Sequence, residues 1–125
     1  MRVVDAGVFV ELLAGALSAE RLGDEELAVP HLVDSEVTNA LRRLVLRGDL
    51  TDDQGSAAME GFDRLMLTRY PADWLRPRMW ALRHNISAYD ATYVALAEMT
   101  GATALLTTDA RLASAPGLRC AVHVV

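Results

Sequence analysis

Short apolar segments alternate with helical patterns along the whole chain, and this alternation limits the fold more than any other feature. Strands that are apolar on both faces and separated by helices form parallel sheets covered on both sides. We therefore predict an α/β fold with three layers (α/β/α) around a central, mainly parallel sheet of four to five strands. The predicted strands are residues 2–4, 27–30, 67–69, 102–107 and 120–124.

The clearest helical pattern covers residues 32–47, where apolar residues recur at three- and four-residue spacing and Gly48 follows as a stop signal. Thr51 begins the next helix, with two aspartates in its first turn, a position that the helix dipole favours. The predicted helices are residues 7–14, 18–27, 32–47, 51–66, 74–84, 87–100 and 109–113.

Length and composition indicate a single domain over residues 1–125, with 52% hydrophobic and 23% charged residues. No apolar run approaches the roughly 18 residues needed to span a bilayer. Asp5 and Glu11 interrupt the apolar N-terminal segment, and no basic leader precedes it, which argues against a signal peptide. We expect a cytoplasmic protein with no membrane partner.

The charged residues exclude several kinds of site. The net charge of −5 argues against a large basic surface for nucleic acid, although acidic residues gathered in one pocket could be neutralised by cations. All 12 basic residues are arginine, which rules out a catalytic lysine and favours guanidinium contacts with phosphate. Cys120 is the only cysteine, so we expect a small core residue rather than a disulfide or a thiolate cluster.

Four acidic residues stand where a soluble protein usually has apolar or neutral ones. Asp5 follows a Val-Val strand, Glu36 lies close to the apolar face of its helix, Asp90 opens a long apolar stretch, and Asp109 follows another strand. A carboxylate taken out of water is costly unless it is hydrogen-bonded, paired or bound to a cation. Parallel strands end at one edge of the sheet, so these four can converge there and form a metal site.

Each carboxylate also has a simpler explanation. Asp5 and Asp109 could be N-caps of the helices that follow them, and Asp90 sits at the third position after Ser87, as in a capping box. Glu36 could be an ordinary charge near a helix start. We favour a functional role for all four.

Four segments together resemble the PIN-domain nucleases, and specifically the VapC-type toxins of bacterial toxin–antitoxin pairs. They are VVDA at 3–6, SEVTNAL at 35–41, SAYDATYVALA at 87–97 and LLTTDARL at 105–112. The resemblance covers essentially the whole chain, and it implies that Asp5, Glu36, Asp90 and Asp109 hold one or two Mg²⁺ or Mn²⁺ ions. The chain departs from the family pattern at Gly7, where Ser or Thr is usual.

The resemblance implies an endoribonuclease that cleaves structured RNA, such as tRNA or rRNA loops, by a metal-activated water and leaves a 5′-phosphate. It also implies a homodimer that a VapB-type antitoxin inhibits. For the RNA strand we predict contacts with Arg43, Arg47, Arg111 and Thr108. Further polar neighbours of the pocket are Thr107 and Asn39, and the residues suited to partner contacts or to ordinary core are Trp74, Met79, Trp80 and Leu82.

Other classes fit less well. A receiver domain of two-component signalling needs a lysine, and a phosphatase with an Asp-x-Asp nucleophile needs an aspartate where Gly7 stands. Dinucleotide binding would need Gly-x-Gly-x-x-Gly after the first strand. The alternative that stays open is a catalytically weak PIN-like module that acts by binding RNA or a partner protein, because Gly7 removes a hydroxyl beside the predicted metal.

Overall fold

The computed structural model describes all 125 residues and contains one sheet of five strands. All neighbouring strands are parallel, and their order is β3-β2-β1-β4-β5. The α/β fold with a parallel sheet predicted from the sequence is confirmed. The strands are β1 (Arg2–Val4), β2 (Leu27–Pro30), β3 (Leu67–Tyr70), β4 (Ala104–Thr107) and β5 (Val122–Val124).

Six α-helices connect or follow these strands. They are α1 (Ala6–Leu13), α2 (Leu32–Leu46), α3 (Asp52–Asp63), α4 (Arg76–Ala81), α5 (Ala88–Thr100) and α6 (Ala110–Ala113). No helix is both long enough and apolar enough to cross a membrane.

The connections between strands place the helices on both faces of the sheet. The chain moves from β1 outward to β2 and β3, and then returns to β4 on the other side of β1. Crossovers between parallel strands are right-handed, so connections that run in opposite directions along the sheet place their helices on opposite faces of it. Helices α1, α2 and α3 pack together, whereas α5 packs on β1, β2 and β4 and against α4.

Two predicted helices were wrong in extent. The segment 18–27 forms only a 3₁₀ turn at Ala19–Leu22, which ends at Gly23 with φ of +75°. Beyond it, Glu25 binds both the N-terminal amine and Arg2, which fixes this stretch beside β1 rather than in a helix. The segment 74–84 divides into a 3₁₀ turn at Asp73–Leu75 and the short helix α4, which has a proline in its first turn.

The core is one cluster of 25 buried apolar residues. Helix α5 lies at its centre, where every residue from Ala91 to Ala97 is buried. The residues predicted for partner contacts or for the core differ in exposure. Leu82 is 1% exposed and belongs to the core, whereas Trp80 is 69% exposed. Cys120 is half-buried and packs against the core.

Successive strands are added on one side of β1 up to β3 and on the other side from β4 onward, so the strand order changes direction between β1 and β4. In parallel sheets ligands bind in the crevice that forms at such a point, beyond the carboxyl ends of the strands. Asp5 follows β1 directly, and its backbone N–H donates to the Leu106 carbonyl at 2.9 Å. Thr107 ends β4, so the ends of these two strands are fixed side by side.

Candidate active site

Asp5 uses both carboxylate oxygens at the end of β1. Oδ1 accepts a hydrogen bond from the Ala6 backbone N–H at 2.8 Å, which caps helix α1. Oδ2 accepts from the Thr107 hydroxyl at 2.9 Å. Asp5 is therefore a helix cap, and the same carboxylate is also held toward the end of β4.

Thr107 connects the ends of the two central strands. Its side chain is fully buried, and its hydroxyl donates to Asp5 while it accepts from the Asp109 backbone N–H at 3.1 Å. One hydroxyl thus sets the position of two of the four acidic residues. From sequence, Thr107 was recognised only as a polar neighbour of the pocket.

Glu36 is held by a tyrosine from the opposite helical layer. The Tyr93 hydroxyl donates to Glu36 Oε1 at 2.6 Å, and Tyr93 itself is 1% exposed. Burial and the nearby Glu36 charge raise the pKa of Tyr93, so this phenol stays a donor. The sequence analysis did not assign a role to Tyr93; the available signal was a phenol hydroxyl inside a stretch of mostly apolar residues in α5.

Asp90 and Asp109 occupy the starts of two helices. The Asp90 backbone N–H donates to Ser87 Oγ at 3.1 Å, so Ser87 caps α5 and leaves the Asp90 carboxylate free of that task. Asp109 caps α6 through a hydrogen bond from the Arg111 backbone N–H at 2.9 Å. The capping explanation is therefore correct for Asp109 and unnecessary for Asp90.

Burial and mutual repulsion raise the pKa values of three of these carboxyls. Burial raises the pKa of Asp5 from 3.8 to about 6; the Thr107 hydrogen bond opposes the shift, and the charges of Asp90 and Glu36 add to it. Burial also raises the pKa of Glu36, where Tyr93 opposes and Asp90 adds. The pKa of Asp90 rises through burial and then through the charge of Asp109. Charge effects therefore connect Asp5, Glu36 and Asp90 with one another and connect Asp109 with Asp90, although Asp90 and Asp109 do not line the pocket that contains Asp5 and Glu36.

Asp5 and Glu36 share an open pocket of about 410 Å³. Its lining includes Glu11, an acidic residue that the sequence analysis had not considered for the site. Glu11 stands four residues after Gly7, so the two share one face of α1; that spacing was the available signal. The lining residues are Asp5, Ala6, Gly7, Val10, Glu11, Glu36, Asn39, Ala40, Arg43 and Thr108.

The three arginines predicted to contact RNA have different surroundings. Arg43 lines the pocket and takes part in no ion pair. Arg47 pairs with Asp49 at 2.9 Å and does not line the pocket. Arg111 is 93% exposed and lies 3.4 Å from Asp109. The structure brings Arg43 and Thr108 into the pocket, places Arg111 beside Asp109, and leaves Arg47 apart.

The donor set fits a hydrated divalent cation. Asp5, Glu36 and Asp90 form no ion pair with any basic side chain, and the one basic side chain whose charge lowers the pKa of any of them is Arg111, which acts on Asp90. No group of three or more His, Cys, Asp or Glu side chains is placed to hold an ion directly. Mg²⁺ keeps several waters and takes one or two carboxylates, so direct ligation by three side chains is not required.

A family model described as "PIN domain" matches residues 2–118. This chain belongs to the PIN-domain family. Within it, the chain is 44% identical over 126 residues to ribonuclease VapC9 of Mycobacterium tuberculosis, covering 100% of this chain and 98% of the relative. It is also 44% identical over 132 residues to ribonuclease VapC1 of the same species, covering 98% and 96%. The resemblance to VapC-type PIN proteins is confirmed.

Two solved structures are similar in fold. PAE2754 from Pyrobaculum aerophilum superposes with a TM-score of 0.72 at 24% identity, over 97% of this chain and 81% of that chain. VapC20 of M. tuberculosis, described as a sarcin-ricin loop cleaving toxin, superposes with a TM-score of 0.66 at 17% identity, over 91% and 94%. At these identities the likeness concerns the fold of this PIN domain.

Replacing Thr107 with valine is expected to lower the free energy of unfolding by about 1–3 kcal/mol. The change keeps the shape of the side chain, but Asp5 loses its donor and the Asp109 N–H loses its acceptor. Urea denaturation at pH 7.5 measures the loss. Thr107→Ser, which retains the hydroxyl, is the matched control and should recover most of it. Equal stability of the valine variant and the wild type would contradict the bridging role.

Proposed function

We propose that this protein is a metal-dependent endoribonuclease toxin of the VapC type. The observation that carries the proposal is the cluster at the ends of β1 and β4, where burial and repulsion raise the pKa values of Asp5, Glu36 and Asp90. Without a cation, burial and repulsion disfavour the ionised form of all three carboxyls, and the pKa of Asp5 reaches about 6. The proposal is supported by 44% identity to proteins that are named as VapC ribonucleases.

In this proposal Asp5, Glu36 and Asp90 would hold one or two Mg²⁺ or Mn²⁺ ions in part through bound waters, and Asp109 would add negative charge beside them. When bound, the ion supplies an activated water and offsets charge on the phosphate. Thr107 and Tyr93 fix the two carboxylates that they contact.

The proposed substrate is RNA, with the loops of tRNA or rRNA as the expected targets. Water attacks the phosphorus of an internal phosphodiester and the bond to the 3′-oxygen breaks. The products are one strand with a 3′-hydroxyl and another with a 5′-phosphate. No histidine base or serine nucleophile is needed, and the described pocket contains neither.

The chemistry of the new RNA ends tests this function. Purified protein is incubated with total tRNA or rRNA and Mg²⁺, and the fragment ends are mapped. We expect discrete internal cuts that leave 5′-phosphates and 3′-hydroxyls. Cyclic 2′,3′-phosphate ends would contradict attack by water, because they require the ribose hydroxyl as nucleophile.

A catalytically weak binding module is the second candidate, and Gly7 is the residue that favours it. The same experiment separates the two candidates when RNA binding is measured alongside cleavage. Tight binding to RNA with no new ends on any of these substrates would support the binding module and overturn the nuclease.

Arg43 is expected to bind the RNA backbone at the pocket mouth. Arg43→Ala should raise KM roughly 5- to 20-fold with a smaller change in kcat, because the arginine attracts the anionic strand before and during the reaction. Arg47→Ala is the matched control, since Arg47 lies one helical turn away and pairs with Asp49. Steady-state cleavage of a fluorescent RNA measures both. Equal KM changes in the two variants would remove the special role of Arg43.

The proposed protein partners are a VapB-type antitoxin and a second copy of the chain. The proposed place of action is the cytoplasm, where RNA and antitoxin occur. The similarity to VapC ribonucleases supports both proposed partners. Exposed Trp80 is available for such a contact, and Leu46 is 68% exposed. Coexpression with the product of a short neighbouring reading frame should yield an inactive complex. A complex that cleaves RNA as fast as the free protein would contradict inhibition.

A further inference from the structure

Thr108 carries an unused hydroxyl at the edge of the pocket. It follows β4 directly, is half-buried, and lines the same pocket as Asp5 and Glu36. The hydroxyl of the preceding Thr107 is used twice, whereas Thr108 Oγ1 has no hydrogen-bond partner within the protein. A free hydroxyl among carboxylates can both donate and accept, so it is suited to bind an oxygen from solvent or substrate.

Gly7 leaves the space that this hydroxyl occupies. A Cβ built on Gly7 would lie 2.9 Å from Thr108 Oγ1, and no other atom beyond its own helical turn and chain neighbours lies within 4 Å. Any side chain at position 7 must therefore displace the hydroxyl of Thr108. If Thr108 were shortened, the same space would be open to a small side chain on Gly7.

The backbone gives no reason for glycine at this position. Gly7 is the second residue of α1 and is not among the glycines with positive φ. Alanine or serine could adopt the same helical conformation, and glycine is a poorer helix former than either. Glycine at position 7 therefore differs from alanine or serine mainly in leaving room for the Thr108 hydroxyl.

We propose that Thr108 is a positioning residue of the site and that Gly7 serves to admit its hydroxyl. The hydroxyl hydrogen-bonds an oxygen, from water or from a substrate phosphate, that is bound beside the divalent ion. It supplies from the end of β4 a hydroxyl that a serine at position 7 would supply from α1. This inference rests on the proposed function, because it assigns a role within the same pocket.

The test is a set of variants that move the hydroxyl between the two positions. Thr108→Ala and Gly7→Ala should each weaken Mn²⁺ binding about 3- to 10-fold, the range expected for one hydrogen bond. Thr108→Ser should stay within about 2-fold of the wild type. The double variant Gly7→Ala/Thr108→Ala should be no worse than either single variant, because the two changes remove the same group. Gly7→Ser/Thr108→Ala should regain most of the affinity.

Calorimetric titration with Mn²⁺ in the absence of RNA measures these affinities and reports on an oriented water. The KM for RNA, measured in parallel, reports on a phosphate. Thermal melting in EDTA controls for folding, and Gly7→Ala should melt within a few degrees of the wild type because alanine favours the helix. A loss of affinity in that variant then reflects the site rather than the fold.

Additive losses in Gly7→Ala/Thr108→Ala, or no recovery of affinity in Gly7→Ser/Thr108→Ala, would overturn the proposal. So would a wild-type protein that binds no Mn²⁺. If the Mn²⁺ pattern is as expected but no variant or wild type cleaves RNA, the pairing of Gly7 with Thr108 stands and the nuclease function fails. The two proposals can therefore fail separately.

Discussion

Asp5→Asn is expected to reduce RNA cleavage by at least about 100-fold, the usual cost of removing a group that stabilises charge at a reaction centre. Asparagine preserves the size of the side chain, and its carbonyl oxygen can still accept from the Ala6 N–H, so the cap of α1 is retained. Its NH2 group takes the place of the oxygen that accepts from Thr107 and can only donate to that hydroxyl. What is lost is the negative charge at the end of β1. The rate of cleavage of a labelled RNA at saturating Mg²⁺ measures the effect.

The same substitution is expected to stabilise the protein when no metal is present. Burial and the neighbouring carboxylates raise the pKa of Asp5 to about 6, which means that its charged form is disfavoured in the folded state. A neutral amide removes that penalty. If the variant is inactive but at least as stable as the wild type, unfolding does not explain the loss of activity.

Asp24→Asn is the matched control, because Asp24 is exposed and forms no ion pair. It should leave both cleavage and metal-free stability unchanged. Undiminished cleavage by Asp5→Asn would end the proposed role of Asp5. A variant that is inactive but markedly less stable in EDTA would instead assign Asp5 to the structure of the helix cap.

The alternation of strands and helices was sufficient to predict the parallel sheet, because the period of apolar residues is a local property. Helix α2 and helix α5 were predicted nearly to their ends, since each has a clear apolar pattern and α5 has both Ser87 and Gly101 as caps. The segment 18–27 was predicted wrongly because its charges pair with distant groups. Glu25 binds the N-terminal amine, a contact that no local pattern can indicate.

The candidate site was predictable in part for the same reason. Asp5 and Asp109 follow strands, and parallel strands end at one edge, so their approach follows from topology. Tyr93 could not be assigned from sequence, because its contact with Glu36 spans two helical layers and depends on how the helices pack across the edge. The space at Gly7 that Thr108 fills likewise exists only in three dimensions.

Removal of divalent metal is expected to abolish cleavage and to leave a protein whose stability falls as pH rises. The folded-state pKa of Asp5 is about 6 and its ordinary value is 3.8, so the folded protein holds this proton more tightly than the unfolded chain. The free energy of unfolding then decreases between about pH 4 and pH 6 and stays low above that range. For Asp5 the loss is about 3 kcal/mol at most.

Other carboxyls act in the opposite direction but at lower pH. Hydrogen bonds to the N-terminal amine and to Thr103 lower the pKa of Glu25 to about 2, and Arg69 lowers that of Asp34. Their contribution to stability is complete above their ordinary pKa values, near 4, and is lost only as pH falls further. Between pH 5 and pH 8 the acidic site therefore determines how the free energy of unfolding changes with pH.

Thermal melting in EDTA should accordingly give a higher Tm at pH 5 than at pH 7.5, by several degrees. With saturating Mn²⁺ the order should reverse, because an ion that binds the ionised carboxylates stabilises only the folded state and does so more at higher pH. Asp5→Asn should flatten both dependences. Two results would mean that these carboxylates do not form a cation site. One is a Tm in EDTA that rises from pH 5 to pH 7.5, and the other is a Tm at pH 7.5 that does not change when Mn²⁺ is added.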